Sequence, residues 1–279
     1  MTRQAPAMLW LLALGLLDAA PARAQIVLPE SQHPTLAAPL RVRAGTGQLT
    51  APVFTHAGLW PAAPAGLYGL ATVEQPGLPL YDPSSRRWLS SANGALVELR
   101  PDGTLPVLLG GAALQGRDLD VRLTRGVLVS REPEHRIVLV RFSAGAVRQK
   151  RVLLKGSRFF RPRLSPDGSR VLVAESRPGG GHLWLVSDRQ GPVDLGPGVD
   201  GSFTADGRRI LFARITDDGH AVLTSDLWEM ELATGRSRML AQTPHLAEVE
   251  PAVSPDGKWL AFVDARSGDL YVARLGQGR

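Results

Sequence analysis

One short phrase recurs in the second half of the chain, and it limits what the chain can fold into. Residues 161–168 read R-P-R-L-S-P-D-G, residues 200–207 read D-G-S-F-T-A-D-G and residues 250–257 read E-P-A-V-S-P-D-G, so three segments share a frame ending in Asp-Gly. Each frame leads into an apolar run, Val171 to Ala174, Ile210 to Ala213 and Leu260 to Val263. A second run follows with an aromatic at one place, Trp184, Trp228 and Tyr271. The frame is turn chemistry: Pro presets φ, Asp can bond the backbone ahead of it, and Gly accepts positive φ. Asp-Gly between two apolar runs is a hairpin signal. The Asp-Gly pairs lie 39 and 50 residues apart, the size of a four-stranded antiparallel sheet with loops of varying length. Such a unit cannot bury both faces alone. Stacked radially around an axis, the units cover one another, and that arrangement is a β-propeller.

The segments Ser165-Pro166-Asp167-Gly168-Ser169-Arg170 and Ser254-Pro255-Asp256-Gly257-Lys258-Trp259, each trailed by a strand and then by Leu-Trp or Asp-Leu-Tyr, resemble the TolB-type propeller repeat. That repeat forms the six-bladed domain of TolB and the non-catalytic propeller of prolyl-oligopeptidase-like peptidases. The Thr204-Ala205-Asp206-Gly207 copy departs from it by losing its Pro. The resemblance implies an all-β fold and is nearly silent about function.

At the start of the chain, Arg3 precedes an apolar run from Met8 to Leu17, and Ala22-Arg23-Ala24 before Gln25 fits a small-x-small cleavage pattern. Residues 1–24 therefore read as a secretory signal peptide, with too short an apolar run for a membrane span and no cysteine after it to carry a lipid. The expected location is periplasmic or secreted, with no membrane insertion once the signal is removed. A cysteine-free exported chain has no disulfides, so its stability must come from its core. Removing residues 1–24 takes away two Arg and one Asp, so the formal charge falls from +6 to +5. That charge is mild and its basic residues are dispersed. The densest cluster, Arg148-Gln149-Lys150-Arg151, falls on an outer hairpin, and no basic stripe with interleaved aromatics points to nucleic acid.

Residues 25–65 are rich in Pro and Ala, too short for the α/β domain that TolB carries before its propeller, and hold one hairpin candidate at Leu40 to Thr50. Residues 66–279 read as the propeller, with blade starts near Gly66, Asp120, Arg161, Asp200 and Glu250. The last repeat has room for only about three strands before Arg279. Because propellers close by lending an N-terminal strand to the last blade, leaving no long free edge, a strand from Gln25 to Phe54 is expected to pair with Leu270 to Leu275. Five repeats can be counted; the resemblance to TolB argues for six blades. In the weaker half, Ala95 to Leu99, the Arg100-Pro101-Asp102-Gly103 turn and Leu105 to Leu109 form a hairpin of the last two strands of a blade. Asp120 to Thr124 aligns with Arg161 to Ser165, with the Pro-Asp of the turn deleted.

No G-x-S-x-G elbow and no H-E-x-x-H occur, and without Cys no thiolate site exists. His33, His56, His135, His182, His220 and His245 are scattered over loops without ligand spacing. Thr216-Asp217-Asp218-Gly219-His220 lacks the alternating oxygen ligands of a calcium loop and reads as a turn. Asp167, Asp206 and Asp256 read as backbone acceptors within their turns, and Trp184, Trp228 and Tyr271 as packing between blades. No catalytic residue, metal or cofactor is expected. What remains is the position that opens each innermost strand. Asp120, Arg161, Asp200 and Glu250 occupy it, and a propeller gathers equivalent positions around one mouth of its channel. This mixed-charge ring is the candidate partner-binding site of a non-enzymatic propeller that binds an envelope protein or component. The alternative is a hydrolase or lyase with a polar, calcium-assisted site at the same mouth.

Overall fold

The structure, a computed structural model, describes residues 80–275 apart from 83, 93, 101–103, 111–116, 157, 188–189, 219–221, 242, 244, 255–256 and 268–269, and before residue 80 only four short strands. Those four are β1 (Ile26–Val27), β2 (Leu40–Val42), β3 (Val53–Thr55) and β4 (Gly58–Trp60). The expected signal peptide, the expected blade start near Gly66 and Asp256 lie outside the described residues.

From Leu80 the chain makes four-stranded antiparallel sheets one after another. The first blade is β5 (Leu80–Asp82), β6 (Arg87–Ala92), β7 (Ala95–Glu98) and β8 (Val107–Leu109). The second is β9 (Arg117–Arg122), β10 (Val127–Glu132), β11 (Arg136–Ser143) and β12 (Ala146–Lys155). The third is β13 (Phe159–Leu164), β14 (Arg170–Arg177), β15 (Gly180–Ser187) and β16 (Val193–Pro197). The fourth is β17 (Val199–Phe203), β18 (Arg209–Asp217), β19 (Val222–Glu231) and β20 (Ser237–Ala241), and the fifth holds β21 (Glu248–Val253), β22 (Trp259–Asp264) and β23 (Leu270–Arg274). Strand order follows chain order in every blade, and the first strands β9, β13, β17 and β21 lie against their neighbours in turn. The fold is an all-β propeller with five blades among the described residues. In the fifth, β23 pairs with β2 in register Leu40 to Val272, and β2 pairs with β1. Strands β3 and β4 form a separate two-stranded sheet.

The second strand of each blade shows why radial stacking suits this sequence. Side chains alternate across a strand, and here both faces are apolar. Val171 and Val173 of β14 join Val127, Val129 and Leu164 in a core against the second blade, while Leu172 and Ala174 join Ile210 and Phe212 in a core against the fourth. Leu211 and Ala213 turn the other way, onto Leu260 and Phe262 of the fifth, and Leu128 faces Leu89 and Leu96 of the first. The innermost members are the largest: Phe212 and Phe262 have no exposed surface, each contributing roughly 2–3 kcal/mol of burial. Outer strands share this demand only in part, with Leu109, Leu240 and Ala241 in the cores. Most of β12 is exposed, and Arg148, Lys150 and Arg151 lie on this edge, where charge discourages further strand pairing.

The three turns of the repeated frame, after Leu164, Phe203 and Val253, join the first strand of a blade to its second, so they stand on one face of the ring, and the first strands begin on the other. Each turn closes on itself. Ser165 Oγ donates to Asp167 Oδ1 at 2.5 Å and accepts the Arg170 N–H at 3.0 Å, and Asp167 accepts the Ser169 N–H at 3.1 Å. Thr204, Asp206 and Arg208 repeat this set at 2.6 and 3.0 Å. The turn aspartates thus act as acceptors, as their place in the frame predicts. Burial disfavours the ionised Asp167, but the Ser165 and Ser169 hydroxyls and the Ser169 N–H outweigh it and hold the group at about 2.

The aromatics divide. Tyr271 is buried and stacked on Phe262 at 5.3 Å. Trp184 and Trp228 are half-buried at blade interfaces, each with an arginine over its ring, Arg177 at 5.7 Å and Arg214 at 3.8 Å. His182 is a correction: it lies on β15, not in a loop, with its ring Nδ1 2.8 Å from Arg177 and 3.2 Å from Asp194.

Candidate functional site

Each first strand from the second blade onward contains a bulge. The ladder slips between Val129 and Arg131 opposite β9, between Phe160 and Arg163 on β13, between Val199 and Ser202 on β17 and between Val249 and Ala252 on β21. At each slip one charged residue takes positive φ: Asp118 (53°), Arg161 (47°), Asp200 (55°) and Glu250 (55°). For residues with a Cβ this conformation costs about 1–2 kcal/mol each, and such outliers gather where a site needs them. The local sequence accommodates the slip. Pro162 and Pro251 follow two of the bulged residues, at positions where a ladder N–H is dispensable. Gly201 follows the third, where a Cβ would stand 2.2 Å from Leu172.

This geometry corrects the ring read from the sequence. Arg161, Asp200 and Glu250 are equivalent and come together. The fourth member is Asp118, not Asp120. Val121, not Leu123, takes the place of Leu164, because Leu128 pairs with Val121 as Val171 pairs with Leu164. The turn of the second blade has lost no residues: Leu123 to Gly126 span it as Pro166 to Ser169 span the next. Asp120 is buried at 2% exposure and clamps two blades. Its Oδ1 accepts Arg122 Nη1 at 2.8 Å and its Oδ2 accepts the Leu164 N–H at 2.8 Å, while Arg122 Nη2 donates to the Leu164 carbonyl at 2.6 Å.

Arg161 is the hub of the ring. One guanidinium nitrogen, Nη1, donates to Asp200 of the fourth blade, and Nη2 donates to Glu250 of the fifth at 2.6 Å. Its own N–H points at Asp118 Oδ2 of the second blade, 3.5 Å away. One residue, through its side chain and its backbone N–H, therefore ties together charges from four blades. The Glu250 side chain is 3% exposed, that of Asp200 9% and that of Arg161 28%, so the pairs sit partly out of water with the arginine closest to solvent. Asp200 above all holds the Arg161 guanidinium above its ordinary range; burial opposes this, and Glu250 and Asp118 reinforce it.

Arg163, which the sequence reading passed over, stands two residues further along β13. Burial pushes its guanidinium down, with Asp120, Asp118 and Glu250 acting against burial and Arg161 with it. Charges on first strands of three blades thus reach one group, which places it where those strands converge. A charged residue followed by Pro or Gly inside a strand marks the bulge at Arg161, Asp200 and Glu250, but Asp118 is followed by Leu119 and Arg163 by Leu164, so neither missed residue carried that signal. Among the described residues no three His, Asp or Glu side chains gather to hold a metal ion, and no helix is long and apolar enough to cross a membrane.

No protein-family model matches the chain, and no curated protein matches it. Solved structures do. A protein assigned as TolB from Agrobacterium tumefaciens is similar at TM-score 0.52 and 18% identity, over 68% of this chain and 70% of that one. TolB from Acinetobacter baumannii is similar at TM-score 0.50 and 14% identity, over 91% of this chain and 64% of its own. A puromycin-hydrolysing peptidase from Mycobacterium tuberculosis matches at 0.50 and 14%, over 91% of this chain and 47% of the peptidase. The chain thus spans about two thirds of the TolB structures and about half of the peptidase. At these identities the likeness is one of fold, and the fold is a TolB-like β-propeller.

Proposed function

We propose that the protein is an exported, non-enzymatic β-propeller that binds a protein or other component of the cell envelope at the channel mouth where its first strands begin. The observation that carries this reading is the Arg161 hub: four strained, charged residues from four blades gathered at one place, with Asp200 and Glu250 held by a single guanidinium. A fold needs none of this to close, since the interblade cores already do that. Asp118, Arg161, Asp200 and Glu250 form the binding rim, and Asp120 supports it from beneath. Export rests on the signal-like residues 1–24. The ring has six blades: β4 lies against β21 and β22, so the β3–β4 hairpin supports a sixth blade between the fifth and the first, and the β2–β23 pairing supports closure by an N-terminal strand. The hydrolase or lyase reading draws on the likeness to the peptidase, which reaches less than half of that enzyme.

The test is a photo-crosslinking amino acid at position 158, exposed just before β13 at the rim end of the ring, in the protein expressed in its native envelope. Capture of one defined envelope protein, lost on Asp118→Lys with the melting temperature kept, supports the reading. Asp118 suits this because it makes none of the Arg161 side-chain ion pairs. Equal capture by the unaltered and the Asp118→Lys proteins counts against it.

A further inference from the structure

Arg163 differs from the arginines around it. Arg161 has two carboxylates and Arg122 has one, whereas Arg163 donates through Nη1 to the Pro162 carbonyl at 3.0 Å and, among the described residues, has no carboxylate partner at ion-pair distance. The groups whose charges act on it are Asp118 and Asp120 of the second blade, Arg161 of its own and Glu250 of the fifth. A guanidinium does not shed its proton in a protein, and a partly desolvated cation with donors to spare favours an anion.

The surroundings select which anion. Asp118, Asp120 and Glu250 all act on this group, so a doubly charged phosphate would meet three carboxylates. A single carboxylate on a chain that also carries N–H groups meets less repulsion and can offer donors to Asp118, which otherwise accepts the Arg161 N–H at 3.5 Å. The fork of an arginine matches a carboxylate in two parallel hydrogen bonds. We infer that Arg163 anchors the carboxylate of an acidic peptide segment entering the channel from the rim, with Asp118 accepting N–H groups of that segment. This rests on the reading of the rim as a binding site and names the chemistry of what binds there.

The experiment titrates the full-length protein with a short, end-capped, fluorescently labelled Gly/Glu peptide, its Gly/Gln counterpart and inorganic phosphate, read by anisotropy and competition. The Glu peptide is expected to bind about tenfold or more tighter than the Gln peptide, with that ratio collapsing toward one in Arg163→Gln and surviving in part in Arg163→Lys. Equal affinity for the two peptides, a ratio unchanged in Arg163→Gln, or displacement of the peptide by equimolar phosphate overturns the inference. Because Arg163→Gln alters a channel residue, the unaltered protein supplies an independent readout. Phenylglyoxal modification of Arg163, mapped by mass spectrometry, is slowed by the Glu peptide and not by the Gln peptide if the inference holds, and is slowed equally by both if it fails. Envelope crosslinking that persists in Arg163→Gln while the Glu/Gln ratio is one would leave rim binding standing and remove the carboxylate anchor alone.

Discussion

The two ends of the first strands solve the same problem in opposite ways. At the Asp-Gly end each turn satisfies its own polar groups: Ser165 with Asp167, Thr204 with Asp206, all within five residues of chain. At the channel end no blade satisfies itself. Arg161 must reach Asp200 and Glu250 on two other blades, and its N–H points at Asp118 on a third. A local device works the same way wherever its frame is kept, as in the third and fourth blades, and so can be repeated nearly letter for letter. A device that acts across blades needs different charges in different blades, so only its backbone slip is repeated. Repetition of letters marks scaffold here, and repetition of backbone with unlike side chains marks the site.

The largest effect that tests this contrast is expected at Arg161. Arg161→Met takes from two mostly buried carboxylates the cation that they share, and removing one member of a buried ion pair costs about 3–5 kcal/mol; the partial exposure of Arg161 puts the expected loss near the lower bound. Asp167→Asn at the opposite end removes an exposed acceptor and should cost less than about 1 kcal/mol. Urea denaturation of both variants measures the difference. Neutralising the partners as well, in Arg161→Met with Asp200→Asn and Glu250→Gln, should recover most of the loss. Equal losses for Arg161→Met and Asp167→Asn would erase the distinction between the ends.

Glu248 sharpens the contrast, since it is a cross-blade carboxylate without a cation among the described residues. It lies two residues before Glu250, fully buried, with its oxygens accepting the Leu227 N–H at 3.3 Å and the Thr243 N–H at 3.2 Å. Burial raises it from 4.5 to about 7, with Thr243 and the Leu227 N–H opposing and nearby Asp226 adding to the rise. A folded-state value above the unfolded one means that the folded protein holds the proton more tightly. Its contribution is therefore fully present below about pH 4.5, declines as pH rises toward 7 and is gone above that. At about 1.4 kcal/mol for each pH unit between the two values, the loss is about 3 kcal/mol. Glu248→Gln has no such titration, so its stability relative to the unaltered protein should rise by that amount between pH 4.5 and pH 8. A flat difference across that range would mean that Glu248 is solvated.

The same division explains what the chain discloses before it is folded. Hairpins, interblade cores and the acceptor role of Asp167 were legible because a turn or an alternating strand is encoded within a few neighbouring residues. So was the gathering of Arg161, Asp200 and Glu250, because the repeat frame gives equivalent positions the same distance to the turn. In the second blade that ruler failed. Leu123-Thr124 imitates Leu164-Ser165, and matching the imitation shifted the alignment by two residues, onto Asp120 instead of Asp118. Only the pairing of Leu128 with Val121 exposes the shift, and strand register is a property of two segments together. Arg163 was hidden for a related reason: its significance lies in which charges of other blades surround it.

The smallest predicted effect isolates how far one Asp-Gly turn differs from another. Gly168 and Gly257 hold the same place in their turns at nearly the same φ, 71° and 70°. Alanine at either pays about 1 kcal/mol for a Cβ in the left-handed region. At Gly257 no described atom lies within 4 Å of where that Cβ would go, whereas at Gly168 it would stand 2.6 Å from Cγ1 of Val127 in the preceding blade. Val127 has no exposed surface and packs in the core between the second and third blades, so it cannot yield freely, and overpacking there adds about another 1 kcal/mol. Gly168→Ala should therefore be less stable than Gly257→Ala by about 1 kcal/mol in urea, and Val127→Ala made together with Gly168→Ala should show favourable coupling, since the methyl that blocks the new Cβ is gone. Additive losses in that double variant would show that the turn is self-contained even where it touches its neighbour, and the contrast between the two ends of the strands would then be sharper than the contacts of Gly168 imply.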